Sequence, residues 1–148
     1  MVIRRAVDSD IGRIVDMGAR FYSLTSYRAV ASFDHDAVRA LAEHLLREGV
    51  LLVAETDSDV IGMAGLVLAP LPFNPAAMFA HEVMWWVEPQ ARGLGAGRAL
   101  VEAIETACRE AGADAIQMVH LSSSPPEAAA IYERAGYSHT ESCFTKRL

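Results

Sequence analysis

The chain lacks the features that would commit it to several large classes. It has two cysteines, Cys108 and Cys143, which form neither a metal-ligand spacing nor a disulfide framework. Its histidines, at 35, 44, 81, 120 and 139, include no i, i+4 pair and no cysteine partner, so no metal site is readable. No apolar run reaches membrane-spanning length, and no membrane partner is expected. Met1-Val-Ile-Arg-Arg5 is too short for a signal peptide, so a cytoplasmic location is the default expectation. No Lys/Arg run occurs and the net charge is −6, which argues against nucleic acid as a partner. Internal repeats, low-complexity tracts and linkers are also missing. What remains is an ordinary composition, 52% hydrophobic and 22% charged, in 148 residues. That length suits one domain over 1–148 with a real core.

The patterning predicts alternating element types. Val2–Ala6 reads as a short strand, and Asp8 as the cap of a helix with Ile11, Ile14, Val15, Gly18, Phe21 and Tyr22 inward. Leu24–Phe33 reads as a loop. Asp34 caps a second helix that turns Val38, Leu41, Leu45 and Leu46 inward and stops at Gly49. Val50–Ala54 and Val60–Leu68 form a hairpin across Asp57-Ser58-Asp59, and Pro70–Ala77 reads as a loop. Met78–Val87 is a strand stopped by Glu88-Pro89. A long helix follows, with apolar residues from Ala96 to Ala111 at helical spacing and an end at Gly112. Ala115–His120 is a strand. Ser124 and the prolines after it open a helix to about Ala135, and Tyr137–Arg147 reads as a last strand.

The chain is organised around Gln90-Ala-Arg-Gly-Leu-Gly-Ala-Gly97, set between the third long strand and the long helix. Glycines here bring backbone N–H groups close to a ligand, and the helix N-terminus favours an anion, so the stretch reads as a phosphate cradle. The dinucleotide pattern G-x-G-x-x-G fails because Arg98 stands at its last position. The P-loop pattern fails because no Gly-Lys-Ser/Thr is present. Gln90-Ala-Arg-Gly93-Leu-Gly95 does fit R/Q-x-x-G-x-G/A. Downstream, Ala128, Tyr132, Gly136 and Tyr137 fit A-x-x-x-Y-x-x-x-G-F/Y. By these two motifs, in this order, the chain resembles the GNAT superfamily of acyl-CoA-dependent N-acyltransferases over essentially its whole length.

The resemblance implies an α+β fold. Its central sheet is mixed, mostly antiparallel and of about six strands, flanked by four helices and splayed at the central parallel strands. It also implies acetyl-CoA as co-substrate and a small-molecule or peptide amine as acceptor, with direct attack in a ternary complex. Main-chain groups of Gly93, Leu94, Gly95, Ala96, Gly97 and Arg98 would hold the pyrophosphate, with Arg92 and Arg98 adding charge or simply facing solvent. A backbone N–H near Val87 would polarise the thioester carbonyl. Trp85 and Trp86 either pack or wall the acceptor pocket. Tyr132 is the candidate acid for the leaving thiolate. Glu82 is the candidate base, with His81, His120 or water as alternatives.

Cys108 lies on the apolar stripe of the long helix and Cys143 has no histidine near it in sequence, which speaks against an acyl-cysteine intermediate. Tyr22, Tyr27, Phe33 and Phe73 are candidates to line the acceptor pocket or to pack. Two departures from the family stand out. Pro125 occupies the position of a common cofactor-binding Asn. Few residues follow Gly136, leaving a short sheet edge that a homodimer would complete. A non-catalytic acyl-CoA-binding regulatory module is the alternative, and the retained Tyr132 weighs against it.

Overall fold

A computed structural model describes every residue of the chain except Ser58. Five strands make one sheet in the order β1 (Val2–Arg5), β2 (Val50–Thr56), β3 (Asp59–Leu71), β4 (Asn74–Val87) and β5 (Ala115–Gln117). Neighbours are antiparallel except β4 and β5, which are parallel. Four α-helices flank the sheet: α1 (Ile11–Ser23), α2 (His35–Glu48), α3 (Ala96–Glu110) and α4 (Pro126–Arg134). This is the expected mixed, mostly antiparallel α+β arrangement, with a strand count close to six.

The sheet is buried on both faces, which explains the unbroken apolar run of β2. Leu51 and Val53 point toward α1 and α2, where they meet Ile14, Met17 and Leu45. Val50, Leu52 and Ala54 point the other way, toward Leu100, Ile104 and Cys108 of α3. Each such large aliphatic side chain contributes about 2 kcal/mol on burial.

Local chemistry sets the helix starts. Asp34 caps α2 as its sequence suggests, with Oδ1 accepting from the amides of Asp36 and Ala37, both at 3.0 Å. At α1 the expectation of an Asp8 cap is corrected. Asp8–Asp10 is a 3-10 turn, and it is Asp10 that accepts from the Val7 amide at 2.8 Å and is held by Arg4. The guanidinium holds the Asp10 carboxyl below the usual carboxylate range. At α4 Pro126 takes the first helical position, but Ser124 is not the cap. Its hydroxyl accepts from the Leu121 amide at 3.0 Å, closing a turn before the helix.

Three spans differ from the reading of the sequence. Pro70–Ala77 is not an open loop, because β3 and β4 extend to Leu71 and Asn74 as a hairpin. Pro70 is accommodated beside a register shift, where a missing N–H costs little. Strand β5 ends at Gln117, short of the expected His120. Tyr137–Arg147 forms no strand. His139, Thr140, Glu141 and Ser142 give it no apolar face, and Phe144 is 94% exposed. In the turn expected at 57–59, Ser58 lies outside the described residues, and Asp57 carries a positive φ of 45°.

Candidate functional site

The glycine loop links the end of β4 to α3. Pro89–Ala91 forms one 3-10 turn, and Gly93 and Gly95 then adopt φ of 84° and 85°, the left-handed region that favours glycine. A side-chain carbon at either position would meet nothing within 4 Å, so the loop faces open space. Behind it the N–H groups of Ala96, Gly97 and Arg98, the first turn of α3, have no intrahelical acceptor. The Leu94 amide is already engaged by the Ala91 carbonyl at 3.4 Å. Gly97 has a packing duty as well: a side-chain carbon there would stand 3.2 Å from Trp85 Cζ2. This open turn, with free amides, a helix N-terminus and two nearby arginines, is of the kind that fits a pyrophosphate.

The two arginines differ. Arg98 is exposed and pairs with Glu102 at 3.4 Å along the helix. Arg92 is fixed: its Nε donates to the Val87 carbonyl at 3.1 Å, and its guanidinium carbon lies 4.7 Å from the centroid of the Trp86 ring. Trp86 is itself anchored, its indole N–H donating to Glu88 at 3.2 Å. The Glu88 carboxylate, on a residue only 3% exposed, also accepts from Arg20 at 2.7 Å and forms an ion pair with Arg13 at 3.0 Å, both on α1. A chain of contacts thus runs from α1 through Glu88 and Trp86 to Arg92. The sequence offers Glu88 only as a strand stop. Its partner Arg20 lies 68 residues away, and no local pattern announces such a pair.

Strands β4 and β5 pair over three residues, Phe79 with Ala115, Ala80 with Ile116 and His81 with Gln117. They then part. In β4 a register shift leaves Val83 without a partner on β3, between Met84 opposite Gly65 and Glu82 opposite Leu66. Where the strands separate, Val119 receives both candidate catalytic side chains. Its amide donates to Glu82 Oε2 at 3.0 Å, and its carbonyl accepts from the Tyr132 hydroxyl at 3.1 Å. Burial pushes the Glu82 carboxyl up to about 7, although the Val119 amide pulls the other way. Burial, and then the nearby Glu82, raises the Tyr132 hydroxyl above its ordinary value. A carboxylate with such a value can exchange protons near neutrality, and a weakly acidic phenol stays protonated until a stronger base appears.

Neither alternative base makes a hydrogen bond to Val119. His81 neighbours Glu82 on β4 and has its ring 5.8 Å from that of Phe79. His120 is exposed, with Nε2 3.4 Å from the Pro125 carbonyl. Alternation along β4 separates the tandem tryptophans: Trp86 packs edge-on against Phe21 at 6.4 Å, and Trp85 lies 5.2 Å from the ring of Tyr132. A cavity of about 240 Å³ opens where the strands part, lined by Glu82, Val83 and Trp85 of β4, by Val119, Leu121 and Ser124 beyond β5, and by Phe21 and Tyr27. Of the other aromatic candidates, Tyr22 and Phe33 pack near Tyr27, and Phe73 is 95% exposed on the β3–β4 hairpin. Among the described residues no group of three or more His, Cys, Asp or Glu is placed to hold a metal ion.

Solved structures share this architecture. A ribosomal-protein-alanine N-acetyltransferase from Brucella melitensis biovar Abortus 2308 aligns with TM-score 0.73 and 17% identity over 100% of both chains. A putative acetyltransferase from Agrobacterium tumefaciens str. C58 gives 0.74 and 22%, also over 100% of both. A predicted acetyltransferase from Clostridium acetobutylicum, solved with acetyl-CoA, gives 0.74 and 16% over 99% of this chain and 95% of that one. At these identities the likeness is one of fold. No curated protein sequence matches the chain. The family profile described as "Acetyltransferase (GNAT) family" matches residues 19–137, a span that holds the glycine loop, the parted strands and Tyr132, and the chain therefore belongs to the GNAT acetyltransferase family.

Proposed function

We propose that the chain is an N-acetyltransferase that moves an acetyl group from acetyl-CoA to a primary amine by direct attack in a ternary complex. The observation that carries this reading is the shared engagement of Val119 by Glu82 and Tyr132 at the point where β4 and β5 part. Bound acetyl-CoA supplies a thioester activated for acyl transfer. The chain's own groups do the rest. Amides of Gly93 and Gly95 to Arg98, with Arg92, bind the pyrophosphate. The free edge of β4 toward Val87 orients the pantetheine arm. Glu82 accepts a proton from the ammonium form of the acceptor, directly or through water. The amine nitrogen then bonds to the acyl carbon as the carbon–sulfur bond breaks. Tyr132 gives its proton to the departing sulfur and is reprotonated by the second proton that the nitrogen loses, leaving an amide and free CoA.

Two features support direct transfer without an acyl-cysteine. Cys108 is fully buried, and burial pushes its thiol up to about 11, which suppresses the nucleophilic thiolate. Cys143 is exposed in the C-terminal segment. Two free cysteines also fit a reducing, cytoplasmic setting.

The test is acetyl-CoA binding by calorimetry for the wild type and Gly95→Val, followed by thiol release with an amine panel. Binding lost in the variant, together with thiol release, is the expected result. Binding without turnover of any amine would favour the regulatory-module reading. Absence of binding would remove both.

A further inference from the structure

We propose that the acceptor is a primary monoamine carried on a single aromatic ring, an arylalkylamine, seated in the cavity where β4 and β5 part. The inference rests on the acetyltransferase reading and specifies its acceptor. The walls of the cavity are chiefly apolar: Phe21, Val83, Trp85 and Leu121, with the ring of Tyr27. Three of these side chains are aromatic, and they come from three separate elements, α1, the 3-10 turn Ser26–Ala29 and β4. Aromatic lining from several elements suits a flat ring, which gains edge or offset contacts beyond its buried area.

The charge inventory narrows the class. Among the described residues Glu82 is the one ionisable carboxylate of the lining, and no Asp, Lys, Arg or His joins it. One ammonium therefore finds one partner. The additional ammonium groups of a polyamine would enter without a counter-charge, and a peptide backbone would find few polar side chains, Ser124 and Tyr27, among the described lining residues. Size points the same way. About 240 Å³ lies under the roughly 300–1,000 Å³ of pockets for drug-sized ligands, so the body is small.

The walls are also held in place. Phe21 is braced edge-on by Trp86 at 6.4 Å, and Tyr27 neighbours Tyr22 at 6.5 Å, which contacts Phe33 at 5.5 Å. The unpaired position of Val83 in β4 turns its side chain to the cavity, where it is 38% exposed. Walls braced in this way discriminate by shape as well as by charge.

The experiment measures thiol release with phenethylamine, spermidine and an α-N-acetylated lysine peptide at saturating acetyl-CoA, with acetyl-CoA binding followed in parallel by calorimetry. For phenethylamine kcat/KM should exceed both others by about tenfold or more. Tyr27→Ala removes a side chain that is already 47% exposed, so the fold should tolerate the change. It should erase most of that preference through the phenethylamine KM and leave acetyl-CoA affinity as it was. Equal or better use of spermidine or the peptide overturns the proposal, as does a Tyr27→Ala enzyme with its preference intact. Acetyl-CoA binding with none of the three amines acetylated overturns the acceptor class alone. Failure to bind acetyl-CoA removes the acetyltransferase reading and this inference together.

Discussion

Tyr132 and Glu82 are joined through the two backbone groups of one residue: the Tyr132 hydroxyl donates to the Val119 carbonyl at 3.1 Å, and the Val119 amide donates to Glu82 at 3.0 Å. The helix that carries the proposed acid and the strand that carries the proposed base are thereby set against each other. The link comes where parallel pairing has ended, so those backbone groups of Val119 are free to take side chains. The proton donor and acceptor are held by different groups and carry values pushed in the same direction by burial.

Replacing Glu82 separates stability from activity. Its folded value of about 7 lies above the ordinary carboxylate value, so burial favours the protonated form. The associated stability is fully present below the unfolded value and is lost as pH rises through about 7. Above that pH the buried carboxylate costs on the order of 3 kcal/mol. Glu82→Gln keeps an acceptor for the Val119 amide without the charge. It should raise Tm relative to wild type at pH 8, but not at pH 4, and lower kcat/KM. In the wild type, kcat/KM should climb as pH passes about 7. Thermal melts and rate profiles across this range check both, and an unchanged Tm difference between the two pH values would contradict the desolvated carboxylate.

Tyr132→Phe removes one hydroxyl and its bond to the Val119 carbonyl, a stability cost of about 1 kcal/mol. Loss of a general acid lowers turnover by roughly 10²–10⁴-fold. Turnover should therefore fall far more than acetyl-CoA affinity. Comparison of kcat with the calorimetric Kd tests this, and an unchanged kcat would remove Tyr132 from the chemistry.

Gly95 and Gly97 should fail in different ways. At Gly95 the φ of 85° makes any side chain strained, by about 1–3 kcal/mol, but the added carbon meets no protein atom. Gly95→Val should fold with a lowered Tm and lose acetyl-CoA binding. Gly97→Ala places a carbon 3.2 Å from Trp85, so the ring beside Tyr132 must shift. Its effect should show in stability and in kcat. Melting curves and binding isotherms of the two variants, side by side, distinguish a ligand-facing glycine from a packing one.

Glu88→Ala tests the connection between α1 and Arg92. The substitution strips the indole N–H of Trp86 and two arginines of their acceptor. Because Arg13 and Arg20 are partly exposed, a stability cost of about 2 kcal/mol is expected rather than that of a fully buried pair. With Trp86 loosened, Arg92 loses its platform, and the KM for acetyl-CoA should rise more than kcat falls. Acetylpantetheine, which lacks the pyrophosphate, provides the control: its KM should be insensitive to the substitution.

Much of the site is legible in the sequence because its chemistry is local. The glycines that need positive φ, the helix that follows them, and Tyr132 on the helix opened by Pro126 lie in short stretches whose spacing is visible in one dimension. The Asp34 cap is readable for the same reason: its Oδ1 and the two amides it accepts from sit two and three residues apart. Asp10 escapes such a reading because its chief partner, Arg4, lies on a strand. The hairpin from Leu68 to Met78 escapes it because prolines mark turns by default, and only the register with a partner strand shows where one is tolerated.

One dimension suffices for the order of the elements, the apolar run of β2, the glycine loop before α3 and the residue types available for proton transfer. Which of these residues meet is settled in three dimensions. There Glu82, and not His81 or His120, is the side chain that shares Val119 with Tyr132, and Trp85 is separated from Trp86. There too Tyr27, and not Phe73, reaches the cavity, and Tyr137–Arg147 finds no strand to pair with. The physical reason is the same in each case. Periodicity records which face a residue takes within its own element, whereas burial, charge pairing and register depend on chain segments far away in sequence.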